Sequence, residues 1–159
     1  MRILYDSKLS QYKTPFGTLT PGQMCTVHIH IPCAVRTTAV TLLLKYEDGK
    51  TGAQDVCLTK QAVKGAYEVW SSEFSIPCTG LYFYYFYINN PDGGFRLFKQ
   101  GDDTNMEAGD LWQVSCVPAD FHTPDWARGA TIYQIFPDRF HKSGDCDLTG
   151  KPTLSIIHN

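Results

Sequence analysis

The sequence predicts an all-β fold, and three observations lead to this prediction. Apolar and polar residues alternate strictly in residues 25–31, and Val40, Leu42, Leu44 and Tyr46 repeat the pattern, which is the period of a strand with one buried face. Clusters of Gly, Pro, Asn and Asp separate such segments and favour turns. No segment of ten or more residues has a convincing 3.6-residue apolar period. Together these features are typical of an antiparallel, immunoglobulin-like (early-set) β-sandwich.

Seven strands follow from this pattern in chain order. In the first, Cys25, Val27, Ile29 and Ile31 share one face, and the second repeats the alternation. The fifth has aromatic residues on both faces, so we expect both faces to be covered. The predicted strands are residues 25–31, 40–46, 55–59, 66–76, 81–88, 95–98 and 111–117. Turn residues at 47–50, 78–80, 89–94 and 100–103 separate them.

The composition changes after the sandwich. Residues 129–136 form a run that is apolar on nearly every side and is bounded by Gly129 and Pro137, as in a strand buried on both faces of a parallel sheet. The predicted organisation has four parts. They are an N-terminal extension (1–20), the sandwich (21–118), a connector (119–128) and the start of a second domain (129–159).

Composition excludes several classes of protein. Fourteen basic and sixteen acidic residues give a net charge of -2, which argues against a nucleic-acid partner. The longest uncharged apolar run, 81–88, is far shorter than the ~20 residues of a membrane helix. The acid at Asp6 interrupts any signal-like start, which predicts a cytoplasmic protein. Six cysteines without a Cys-x-x-Cys pair predict reduced, mostly buried thiols, and disulfides in a secreted protein are the alternative.

Residues 132–140 carry the most specific motif in the chain. Their sequence, Ile-Tyr-Gln-Ile-Phe-Pro-Asp-Arg-Phe, resembles the first barrel strand of the α-amylase superfamily (glycoside hydrolase family 13). It is most similar to the neopullulanase and maltogenic-amylase branch, in which an N-terminal sandwich precedes this motif. The resemblance marks Tyr133, Gln134, Asp138, Arg139 and Phe140 as the barrel-strand motif.

Two weaker motifs occur in the order that this family implies. Residues 121–126, Phe-x-Thr-Pro-x-Trp, are similar to the junction between sandwich and barrel. Residues 80–86, Gly-Leu-Tyr-x-Tyr-x-Phe, are similar to a late strand of the accessory sandwich. The resemblance thus implies a sandwich followed by the first strand of a (β/α)₈ barrel, covering roughly residues 20–150.

The resemblance implies a retaining hydrolase of α-glucosidic bonds in starch, pullulan or maltodextrin. Such chemistry needs an Asp nucleophile, a Glu acid/base and a second Asp, which follow later strands of a barrel of about 250 residues. We therefore expect this chain to be an inactive N-terminal piece of such an enzyme, and we assign no catalytic residue within it. A starch- or glycogen-binding module and a purely structural or dimerisation domain are the alternatives.

The resemblance also implies partners. These are α-glucan oligosaccharides, the enzyme's own catalytic domain, and a second copy that pairs through the exposed barrel strand. Exposure of Ile132, Tyr133, Ile135 and Phe136 would be costly, because burial of a large apolar side chain contributes about 1.5–3 kcal/mol. We therefore expect the sandwich or another chain to cover these residues.

Three aromatic residues are candidates for stacking on glucose rings. Trp70 lies beside Glu68, and Trp112 lies between Asp110 and Gln113, so each has polar neighbours for sugar hydroxyls. Tyr84, in the strand with two aromatic faces, is the third candidate. The alternative for all three is the sandwich core, since a domain of this size buries large aromatic residues.

Metal binding has two candidate sites. Ser143, Asp145 and Asp147 lie in a loop that resembles a Ca²⁺-holding loop of some relatives, so calcium is the cofactor implied for a longer enzyme. A solvated loop is the alternative, and the chain itself requires no cofactor. His28 and His30 share one strand face and either approach a metal together or lie on a solvated surface.

Overall fold

The computed structural model describes residues 2–48 and 53–136. The chain divides into two compact units, Met1–Phe121 and His122–Asn159. Nine antiparallel strands lie in the first unit. They are β1 (Lys13–Thr14), β2 (Met24–Pro32), β3 (Ala39–Tyr46), β4 (Gln54–Lys64), β5 (Tyr67–Ser75), β6 (Gly80–Asn90), β7 (Gly93–Gln100), β8 (Asp103–Asn105) and β9 (Trp112–Cys116).

The alternation predicted for β2 is confirmed. Cys25, Val27, Ile29 and Ile31 point to one side and are fully buried, while the residues between them are half-buried on the other side. β2 pairs with β5 along nine residues. Each of the larger apolar side chains contributes about 1.5–3 kcal/mol through burial.

Strand β4 connects the two halves of the sandwich. Its first part pairs with β3, with Leu58 opposite Val40, and its last part pairs with β5. The change of partner coincides with a bulge between Lys60 and Ala62, where Gln61 falls outside the register. A bulge bends and twists a strand, so one sheet curls over and encloses a core between its halves. The predicted immunoglobulin-like antiparallel sandwich is confirmed.

Strand β6 is the centre of the second half. One of its edges pairs with β3 from Ala39 to Tyr46. Its other edge is shared by two strands, because Gly80–Tyr84 pairs with β9 and Phe86–Asn90 pairs with β7. Neither of these two strands pairs with Tyr85, so the partner of this edge changes at this residue.

Residues 2–20 lie in the same compact unit as the strands of the sandwich. Tyr5 and Leu19 are buried in the core, and β1 pairs with β2. The Leu19 amide donates to the Ser115 carbonyl (2.9 Å), and the Val117 amide donates to the Leu19 carbonyl (2.8 Å). The sequence shows no alternation here because single residues, rather than a long strand, enter the core.

The Gly80-Leu81-Tyr82 motif has a steric reason for its first residue. Gly80 has a φ of 143°, and a Cβ there would overlap the ring of Tyr46. Tyr46 and Tyr82 lie opposite each other in the register, with ring centroids 5.2 Å apart. Only glycine provides both the backbone conformation and the space for this pair.

The second unit is described from His122 to residue 136. Asp125–Ala127 forms a 3₁₀ turn, and residues 130–136 have no regular secondary structure. The expected strand at 131–136 is therefore not formed, because a strand requires a neighbour for its backbone hydrogen bonds. Ile132, Tyr133, Ile135 and Phe136 are all more than half exposed.

The cysteines differ from the expected pattern. The five described cysteines are free thiols, and Cys25 and Cys116 are buried. Cys33 is half-buried, while Cys57 and Cys78 are exposed, so the expectation that most are buried is wrong for the described residues. Cys57 lies on the outer face of β4, which explains its exposure.

Candidate functional site

Trp112 and Tyr84 lie in the core rather than on a sugar-binding surface. Tyr84 has no exposed surface, Trp112 is 2% exposed, and their rings stack with centroids 5.9 Å apart. Tyr5 packs edge-on against Trp112 at 5.0 Å and against Phe86 at 4.8 Å. A ring without accessible surface cannot stack on glucose. The burial of both rings favours the core interpretation of Trp112 and Tyr84.

The phenol groups of Tyr5 and Tyr84 form a polar pair inside this aromatic cluster. Their hydroxyl oxygens lie 2.7 Å apart. Burial raises the pKa of both phenols well above the ordinary value, and the proximity of Tyr84 raises that of Tyr5 further. Both groups are therefore neutral, and their mutual hydrogen bond offsets the cost of burying two hydroxyls.

Trp70, the third candidate, is 7% exposed and faces the interior of the sandwich. Its indole nitrogen donates to Glu68 Oε2 at 3.0 Å, and Lys60 Nζ donates to Glu68 Oε1 at 2.6 Å. Glu68, which the sequence suggested as a hydrogen-bond partner for a sugar, instead accepts hydrogen bonds from the Trp70 indole and the Lys60 ammonium. The burial of the ring and this hydrogen bond favour the core interpretation of Trp70, and sugar contact stays a prediction.

His28 and His30 share the outer face of β2, as predicted, and both are half-buried. The His30 ring packs edge-on against Tyr12 with centroids 5.3 Å apart. Burial lowers the pKa of His30, and the nearby charges of Lys64 and His28 lower it further. In residues 2–48 and 53–136, no group of three or more His, Cys, Asp or Glu side chains is arranged to hold a metal ion.

The low pKa of His30 predicts a stability change in mild acid. Below its ordinary pKa of 6.5, the unfolded chain binds a proton that the folded chain does not yet bind. The free energy of unfolding should therefore fall as pH decreases from about 7.5 through 6.5, until the folded-state pKa is passed. Urea unfolding at several pH values measures this slope. His30→Gln should reduce it, and an unchanged slope in that variant would contradict the assignment.

The remaining predicted site residues lie in the second unit. Some are among its described residues and the others are not. Tyr133 and Gln134 are exposed, whereas Asp138, Arg139 and Phe140 lie outside the described residues. The calcium candidates Ser143, Asp145 and Asp147 also lie outside them. Within the described residues, no helix has the length and hydrophobicity needed to cross a membrane.

An open cleft lies beside Phe83 of β6 and the start of β9, and we call it the β6–β9 cleft. Its volume is about 600 Å³, within the about 300–1,000 Å³ typical of small-ligand sites. Phe83 occupies the register position between Lys45 on β3 and Gln113 on β9. The cleft is lined by Ser7, Phe83, Lys99, Asp110, Leu111, Trp112 and Gln113.

Sequence analysis selected part of this cleft for a different reason. Asp110 and Gln113 were considered because they lie close to Trp112 in the sequence, and both are exposed in the structure. The half-buried ring of Phe83 provides the aromatic surface of the cleft, whereas the indole of Trp112 is buried. The sequence alone does not identify Phe83, Lys99 and Ser7 as members of one site, because only the folded chain brings them together.

A second groove of about 660 Å³ lies on the outer face of β2, β5 and β4. It is lined by Thr26, His28, Thr59, Gln61, Ala62, Lys64, Val69, Ser71, Ser72 and Glu73. The residues that line it include no aromatic ring other than the imidazole of His28. It therefore has the polar groups of a carbohydrate site without a flat apolar surface on which a sugar could stack.

The outer face of β6 is partly covered by side chains of the same unit. Tyr85 is 8% exposed because Phe98 stacks on it, with centroids 6.1 Å apart. The Lys45 ammonium and Arg96 guanidinium lie 5.8 and 5.6 Å from the centre of its ring. These distances permit cation–π attraction. At Tyr85, side chains of the first unit thus cover the outer aromatic face of β6.

No protein-family model matches the chain. Two similar curated proteins are amylopullulanases. That of Thermoanaerobacterium saccharolyticum is 28% identical over 165 residues, which cover 96% of this chain and 12% of the amylopullulanase. That of Thermoanaerobacter thermohydrosulfuricus is 28% identical over 147 residues, which cover 87% of this chain and 10% of that protein.

A solved cyclomaltodextrinase structure has the same fold. It matches with a TM-score of 0.53 and 21% identity over 86% of this chain and 23% of the cyclomaltodextrinase chain. This chain thus spans only a small part of each protein that it resembles. Together, the amylopullulanase similarity and the shared sandwich confirm the resemblance to the α-amylase superfamily that the motif at residues 132–140 predicts.

Proposed function

We propose that this chain contributes an accessory β-sandwich to an enzyme that hydrolyses α-glucans. The observation that carries the proposal is the similarity to amylopullulanase, which extends over 96% of this chain but only 12% of the relative. A segment of that size is consistent with an auxiliary domain. The substrate class, the retaining mechanism and the attached catalytic domain are all part of the proposal.

We further propose that the 159 residues contain no hydrolytic centre. Retaining hydrolysis needs two carboxyl groups about 5 Å apart, one as nucleophile and one as acid/base. Four carboxylates of the first unit are paired with cations, which favours structural roles for these four. The pairs are Asp103 with Arg2, Asp102 with Lys8, Asp92 with Arg36 and Glu68 with Lys60.

The purified 159-residue protein is expected to show no turnover of starch, pullulan, β-cyclodextrin or a chromogenic maltoside. Release of reducing ends and of nitrophenol measures this, with an active amylopullulanase assayed in parallel as the positive control. Activity that elutes with the protein through successive columns would contradict the proposal. It would place catalytic carboxylates within these residues.

Glucan binding by the sandwich itself is a second candidate function. The observation that favours it is the β6–β9 cleft, where the half-buried Phe83 lies among exposed Asp110 and Gln113. A purely structural role is the remaining alternative. It is favoured by the exposed apolar side chains of residues 132–136, which would suit contact with a catalytic domain or a second copy of the chain.

A further inference from the structure

We propose that the β6–β9 cleft binds the neutral rings of an α-glucan oligosaccharide, with Phe83 as the stacking surface and Asp110 and Gln113 as hydrogen-bonding groups. The glucan identity rests on the proposed function, whereas the location rests on the structure alone. Sequence analysis placed sugar contact at Trp70, Trp112 and Tyr84, all of which are buried.

The sheet topology creates the cleft. β6 pairs with β9 along one part of its edge and with β7 along another part, so the partner strand changes at Tyr85. The backbone of Lys99 at the end of β7 exchanges two hydrogen bonds of 2.9 Å with Asp110 just before β9. These bonds fix the backbone on both sides of the cleft. The Asp110 side chain can therefore be changed without removing the bonds that position its backbone.

The lining has the two kinds of surface that a sugar requires. A glucose ring presents an apolar C–H face and an edge of hydroxyl groups. Phe83 and Leu111, both half-buried, supply apolar surface for the ring face. The Gln113 amide both donates and accepts hydrogen bonds, and the Asp110 carboxylate accepts them. A few polar groups around an apolar surface are typical of small-ligand sites.

The charges of the cleft favour an uncharged ligand. Lys99 contributes one positive charge and Asp110 one negative charge, and the other lining residues are neutral. A phosphate or carboxylate ligand would meet the Asp110 carboxylate, and a cation would meet the Lys99 ammonium. A neutral polyol can hydrogen-bond to both groups without either repulsion.

Isothermal titration of the full chain with maltoheptaose tests the site. The double variant Asp110→Ala/Gln113→Ala is expected to weaken binding by about tenfold or more, because two hydrogen bonds are lost. Phe83→Leu keeps an apolar residue but removes the ring, and it should also weaken binding. Thermal melting of each variant verifies that the fold is retained, and Asp110 and Gln113 are exposed enough to be replaced safely.

Gln61→Ala in the second groove is the matched control and should leave the affinity within about twofold. Loss of binding in Gln61→Ala, with no loss in the Asp110/Gln113 variant, would move the site to the second groove and overturn this proposal. Absence of maltoheptaose binding by the unchanged protein would also overturn it. Equal affinity for cellohexaose, a β-linked glucan, would refute the α-glucan assignment.

These outcomes are separate from those that bear on the accessory-domain proposal. A protein that binds no glucan and hydrolyses none still fits an accessory sandwich with a structural role. A protein that hydrolyses glucan would contradict the accessory-domain proposal even if the cleft binds sugar. The binding measurement can therefore contradict the cleft proposal without contradicting the accessory-domain proposal, and the turnover measurement can do the reverse.

Discussion

Replacing Trp112 with alanine is expected to lower the free energy of unfolding by about 3–5 kcal/mol, the range for removal of a large buried aromatic side chain. The indole is 2% exposed and contacts the rings of Tyr5, Tyr84 and Phe86. Its removal would leave a cavity that the surrounding β-sheet could fill only in part. Urea denaturation followed by far-ultraviolet circular dichroism measures the loss.

Trp126→Ala is the matched control for this experiment. Trp126 is 77% exposed, so the same chemical change should alter the free energy of unfolding by no more than about 0.5 kcal/mol. Equal effects of the two substitutions would mean that the burial of Trp112 is not what stabilises the fold. A small effect of Trp112→Ala alone would indicate that the aromatic cluster is not packed as described.

The alternating strands could be predicted because each one shows its apolar period within a few consecutive residues. In β2 and β3 every second residue is apolar, and a sheet with one buried face requires that period. All seven predicted strands occur, with ends that differ by a few residues. β1 and β8 were missed because strands of two and three residues are too short to show a period.

The roles of the aromatic residues could not be predicted in the same way. Trp112 is followed by the polar Gln113, yet it lies opposite Tyr84 across the β6–β9 pair and points into the core. A neighbour at i+1 lies on the opposite face of a strand, so the polarity of Gln113 does not indicate the surroundings of Trp112. Tyr5 enters the core through a contact with a residue 79 positions away.

The candidate cleft was only partly visible in the sequence. Asp110 and Gln113 were selected with Trp112, but Phe83, Lys99 and Ser7 come from three other parts of the chain. Their proximity depends on two strands sharing one edge of β6, and a linear pattern does not encode this. The expected strand at residues 131–136 failed for a related reason. Its apolar pattern is local, but a strand forms only where a neighbouring strand is present.

The phenol pair in the core should respond asymmetrically to the loss of one hydroxyl. Tyr84→Phe removes the partner of the fully buried Tyr5 hydroxyl, and we expect a loss of about 1–3 kcal/mol in the free energy of unfolding. Tyr5→Phe should cost less, about 0.5–1.5 kcal/mol, because the Tyr84 hydroxyl lies near the Ser7 side chain, which can serve as an alternative partner.

The double variant Tyr5→Phe/Tyr84→Phe distinguishes this pairing from two independent contributions. It leaves neither phenol hydroxyl buried without a partner, and Ser7 is only half-buried and can bond to water. We therefore expect the double variant to be no less stable than Tyr84→Phe alone, so that the two losses do not add. Chemical denaturation of all four proteins at pH 7 measures the coupling. If the loss in the free energy of unfolding of the double variant equals the sum of the two single losses, the two hydroxyls contribute independently. That result would contradict the pairing.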